Sequence, residues 1–108
     1  MASWLFIVES NCIDPIRENE FNEWYNQTHV PDIMSTECID RATRYELTTQ
    51  PPEGKGKYLA VYEIESDNIK ATMSEFRDKI DVIAKGRMSN LMKATSRCVY
   101  RQIASFPK

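Results

Sequence analysis

A chain of 108 residues, 42% hydrophobic and 28% charged, suits one globular domain spanning 1–108 and argues against disorder. Its net charge of −2 and sequence pI near 5.4 exclude the basic face that an electrostatic nucleic-acid footprint requires. The longest apolar run, Trp4-Leu5-Phe6-Ile7-Val8, falls far short of the roughly 20 residues of a membrane span and lacks the basic flank and cleavage site of a signal peptide, so a soluble cytoplasmic protein with no membrane partner is expected.

Residues 3–10 are aromatic and β-branched and predict a strand, stopped by Asn11 to Pro15. Asp14-Pro15 is a good helix start, with Asp as N-cap and Pro at the first helical position. Ile16, Glu20, Phe21, Trp24, Tyr25 and Thr28 then recur at spacings of three and four, giving one largely apolar face. This helix is expected to end near His29, because Val30 precedes Pro31 and is biased away from helical dihedrals. Pro31 can open a short second turn, Asp32 to Thr36.

Residues 38–48 alternate, with Ile39, Arg41, Thr43, Tyr45 and Leu47 on one face and Asp40, Ala42, Arg44 and Glu46 on the other, which predicts a strand. Thr49 to Gly56 is a loop rich in Pro and Gly, without the spacing of a phosphate loop. Lys57 to Glu65 predicts the third strand, with Tyr58, Ala60, Tyr62 and Ile64 facing one way. Ser66 or Asp67 can cap a second helix, in which Ile69, Met73, Phe76, Ile80 and Ile83 form a strong apolar stripe. Gly86 is its stop. Met88, Leu91 and Met92 fit a further short helical turn, and Ala94 to Ile103 the fourth strand.

A βαββαβ order predicts an α+β, ferredoxin-like fold: a four-stranded antiparallel sheet with both helices on one face. The uncovered face still carries apolar side chains, among them Trp4 or Leu5, Val61 or Tyr62, and Val99 or Tyr100. Such a face tends to find a partner, so a homodimer with sheets packed face to face is expected.

Chemistry converges on one segment, Phe21-Asn22-Glu23-Trp24-Tyr25-Asn26-Gln27-Thr28-His29-Val30-Pro31. His29 is the only histidine, and imidazole is the only side chain whose ordinary pKa lies in the neutral range. Neutral-pH proton transfer would therefore look to His29 first, against the alternative of a hydrogen-bonded packing residue. Cys12, Cys38 and Cys98 are odd in number, widely spaced and without a C-x-x-C, and the two-His metal motifs are absent, so neither a disulfide framework nor a metal site is expected.

The motif Phe21-x-x-Trp24-Tyr25-x-x-x-His29-x-Pro31, followed by Arg44-Tyr45 and by Tyr58-Leu59-Ala60-Val61-Tyr62-Glu63, resembles the EthD-like branch of the dimeric α+β barrel superfamily. A Pro-Gly that often precedes strand two in that branch is replaced here by Thr36-Glu37-Cys38. The resemblance implies a ferredoxin-like protomer, a dimeric barrel and a pocket between sheet and helices. Relatives range from cofactor-independent monooxygenases and polyketide cyclases to isomerases and haem-degrading enzymes, so architecture is better defined than chemistry.

On this reading the ligand is a small apolar, aromatic or polyketide-like molecule. Its walls would come from Trp24, Tyr25, Tyr45, Tyr58 or Tyr62, and Met73 or Phe76. His29 would act as acid or base, and Tyr25 or a strand-three tyrosine would hydrogen-bond a developing enolate or phenolate. Such a cyclase, isomerase or monooxygenase would need no cofactor. A non-catalytic binding dimer is the alternative, with haem ligation by His29 a third reading.

Overall fold

The computed structural model describes all residues, 1–108. β1 (Ala2–Cys12), β2 (Arg41–Glu46), β3 (Tyr58–Ser66) and β4 (Met92–Arg101) form one antiparallel sheet in the order β2-β3-β1-β4. Helical segments lie between β1 and β2, and α3 (Ile69–Ile83) lies between β3 and β4. This is the ferredoxin-like arrangement expected from the sequence.

The alternation of β1 and β3 decides the two faces of the sheet. Val8 and Ser10 on β1, and Tyr58, Ala60, Tyr62 and Ile64 on β3, are buried toward the helices. Leu5, Ile7, Leu59 and Val61 alternate with them and point to the opposite face, so of the open pairs Leu5 and Val61 are the outward members.

The first helical stretch does not stop at His29. A short 3-10 turn, Pro15–Arg17, is capped as expected by Asp14, whose Oδ1 accepts from the Ile16 amide at 3.0 Å. Next come α1 (Glu18–Trp24), a π-helical turn (Tyr25–His29) and α2 (Val30–Met34), without a break. His29 and Val30 both keep helical dihedrals, and the Val30 amide donates to the Tyr25 carbonyl, five residues back. Pro31 lacks an N–H, and its ring would press on the carbonyl four residues earlier in a regular α-helix. One wider turn relieves that conflict, as π-bulges do. Burial favours continuation, because the added residue keeps Phe21, Tyr25, His29 and Ile33 all on the buried side.

Smaller departures follow from local chemistry. β2 is shorter than the expected 38–48, because Glu37 takes a left-handed φ of 62° and Thr36 holds the turn, its Oγ1 donating to the Ile33 carbonyl and accepting from the Cys38 amide. The cap of α3 is Asn68 rather than Ser66 or Asp67. Its side chain accepts from the Ala71 amide at 3.1 Å, while the Ser66 hydroxyl accepts from the Asn68 amide. Met92 belongs to β4 rather than to a helical turn, because it pairs with Cys12 across the ladder.

Candidate functional site

Between the helix-covered side of the sheet and the underside of α3 lies a cavity of about 750 Å³. Pockets for drug-sized ligands fall within roughly 300–1,000 Å³. Phe6, Val8 and Tyr62 form its floor, and Met73, Phe76 and Ile80 of α3 form its roof. Phe6 stacks on Tyr62 with centroids 5.8 Å apart and meets Phe76 edge-on at 6.0 Å, so the two walls are continuous aromatic surface. Ala84, Lys85, Gly86 and Met88, which follow α3, and Met92, Arg97 and Val99 of β4 also line it.

His29 reaches this cavity from the π-helical turn. Its ring stacks on Trp24 at 4.8 Å and meets Tyr25 edge-on at 5.0 Å. It is 8% exposed, and its Nδ1 is buried with no hydrogen-bond partner. Burial is the main reason its pKa falls to about 4. Asp32 opposes that shift, and Arg44 and Arg97 add to it. At neutral pH the imidazole is therefore uncharged and able to accept a proton.

Beside it sit three buried hydroxyls, those of Ser10, Tyr25 and Tyr62, each about 1% exposed. They are near enough for Ser10 and Tyr62 to affect the acidity of Tyr25, yet none makes a hydrogen bond of sound geometry to any protein group. Burial pushes the pKa of Tyr25 and of Tyr62 up, so both remain protonated donors. Unpaired buried hydroxyls are costly in a purely structural core. Arg44 completes the inner end. Its guanidinium carbon lies 4.0 Å from the Tyr25 ring centroid, and its nitrogens donate to Asn22 and Asn26 rather than to a carboxylate.

Trp24 and Asp32 hold this end together. The Trp24 indole N–H donates to the Arg87 carbonyl at 2.9 Å, and the Asp32 carboxylate takes a two-point contact from the Arg87 guanidinium at 2.8 and 3.1 Å. Both contacts fasten the Ala84 to Met88 wall to the helix carrying His29.

A family profile described as Domain of unknown function (DUF4286) matches residues 4–102. The chain belongs to the DUF4286 family. Among curated proteins nothing matches this DUF4286 chain. Among solved structures it is similar to an EthD family protein from Bacillus halodurans, at 15% identity over 95% of this chain and 100% of that one, with a TM-score of 0.59. It is also similar to a candidate monooxygenase from Shewanella loihica, at 13% identity over 97% and 99% of the chains and a TM-score of 0.64. A dimeric ferredoxin-like protein from an uncultured marine organism gives 10% identity, 98% and 100% coverage and a TM-score of 0.62. At these identities the likeness is one of fold, and it bears out the EthD-like, ferredoxin-like architecture.

In the DUF4286 chain the eight residues singled out from sequence divide. His29, Tyr62, Met73 and Phe76 line the cavity, and Tyr25 lies directly behind its inner end. Trp24 backs the His29 ring instead of forming a wall. Tyr58 is buried, with its hydroxyl tied to Glu18 and Asn22 away from the cavity. Tyr45 is 55% exposed on the other face of the sheet. Sequence reading passed over Ser10 and Arg97, which appear only once the register of β1 and β4 is known.

Proposed function

We propose that this DUF4286 protein binds a small aromatic or polyketide-like molecule in the cavity under α3, and that neutral His29 removes an acidic C–H or O–H proton from it. The observation that carries this reading is an uncharged imidazole reaching an aromatic cavity beside buried, unpaired tyrosine hydroxyls. The ligand body rests on Phe6, Met73 and Phe76. The Tyr62 hydroxyl, with Tyr25 behind it, donates to the enolate or phenolate oxygen that forms. Deprotonation of this kind is the common first step of aldol-type cyclisation, isomerisation and cofactor-free oxygenation. Two copies pair through the outer sheet face, where Leu5, Ile7, Leu59 and Val61 lie side by side. Its apolar character and the likeness to a protein described as dimeric support that assembly.

Benzoylacetone, an aromatic diketone with an acidic C–H, tests the reading through solvent deuterium exchange followed by NMR. The wild type accelerates exchange, and His29→Ala loses that acceleration by about tenfold or more. Equal rates in the two proteins would reject the acid/base role. Tight binding with no acceleration in the wild type would instead favour a non-catalytic binding protein.

A further inference from the structure

Charges are unevenly distributed around the cavity. The chain carries net charge −2, yet the cavity is lined by Arg77, Lys85 and Arg97 against a single carboxylate, Asp81. None of those three cations takes part in any of the ion pairs of the fold. Arg97 is the best placed of them. It pairs with Val8 across the β1–β4 ladder, which sets its side chain on the cavity face, and its charge acts on both His29 and Tyr25. Arg44 adds a second guanidinium with no carboxylate partner behind Tyr25.

We propose that the ligand is an amphipathic organic acid, with its apolar body against the surface formed by Phe6 and Phe76 and its anionic group at Arg97, facing His29 and the Tyr62 hydroxyl. This deepens the proposed function and rests on the cavity being a ligand site. Two independent features converge on it. The cations lining the cavity take part in no ion pair, and the buried hydroxyl of Tyr62 makes no hydrogen bond of sound geometry within the fold. One carboxylate or enolate would answer both needs, because an oxyanion accepts from a guanidinium and from hydroxyls together. A neutral ligand of the same shape would satisfy the apolar walls and leave Arg97 unpaired. The site thus selects for charge as well as for shape.

The test compares 2-naphthoate with 2-naphthamide, which share a ring system and differ in charge, by isothermal titration calorimetry on the full chain. The wild type binds the naphthoate more tightly than the amide by about tenfold or more, the scale of one charge-assisted contact. Arg97→Gln brings the naphthoate down to the level of the amide and leaves amide binding unchanged, which shows that the cavity is still intact. Equal affinity for the two probes in the wild type would overturn the choice of an anion while leaving the cavity as a ligand site. Preference for the naphthoate surviving in Arg97→Gln would overturn the role of Arg97. Failure of both probes to bind would overturn the cavity reading itself, and this inference with it.

Discussion

Lowering the pH from about 7 toward 4 is expected to cost this fold roughly 3 kcal/mol through His29 alone. The imidazole titrates near 6.5 in an unfolded chain and at about 4 in the folded protein, where burial opposes its charge. Its folded pKa is depressed, so the unfolded chain takes up the proton first. The stabilisation is complete above about 6.5, falls away as the pH drops toward 4, and changes no further below that. Carboxylates add their own acid sensitivity lower down. Glu18, held below its usual range mainly by its hydrogen bond from Lys57, loses its contribution only below about 4.5. Urea unfolding at a series of pH values checks this. Wild-type stability should slope between 6.5 and 4.5, and His29→Gln should be nearly flat there. Parallel slopes in the two proteins would show that His29 is not held neutral by burial.

Phe21→Ala is expected to destabilise the protein by about 3–5 kcal/mol, a large share of the roughly 5–15 kcal/mol that holds a typical domain together. Phe21 is fully buried, and its ring meets those of Trp24, Tyr25 and Tyr58 at centroid distances of 6.1, 5.6 and 5.5 Å. Truncation leaves a cavity under the helix that carries His29, and the three rings around it lose their common contact. Trp24 and Tyr25 are also the two rings that set the orientation of His29. Thermal and urea denaturation measure the loss, and a change below about 1 kcal/mol would mean that Phe21 is not central to this core.

The pattern of strands and helices was readable because β1 and β3 are runs of aromatic and β-branched residues and α3 has one clear apolar face. β3 is the plainest case, with Tyr58, Ala60, Tyr62 and Ile64 buried in strict alternation. β2 has the right alternation but two mixed faces. Tyr45 is the larger apolar group, yet Arg44 turns inward, where Asn22 and Asn26 satisfy its guanidinium and the Tyr25 ring lies against it. That preference depends on partners 18 and 22 residues away, which periodicity alone does not register.

β4 hides its most interesting residue for a different reason. A register shift against Glu9 and Ser10 leaves Thr95 as an extra residue, so the alternation begun by Met92 and Ala94 passes to Arg97 and Val99. Simple alternation would put Ser96 and Cys98 on the cavity face and Arg97 outside. The helix end expected at His29 failed for a related reason, because one extra residue in the π-helical turn accommodates Pro31. Both irregularities lie at the cavity and decide what faces it.

Because His29 is the only histidine, its ring protons give an NMR titration free of overlap. Measured from pH 8 to pH 3.5 with and without benzoylacetone, this titration tests most directly whether a buried, neutral imidazole serves the cavity. An apparent pKa of about 4 in the free protein, with ring signals that move when the diketone is added, is the result expected. A pKa near 6.5 and signals indifferent to the diketone would contradict the account, leaving His29 a solvent-exposed side chain outside any ligand site.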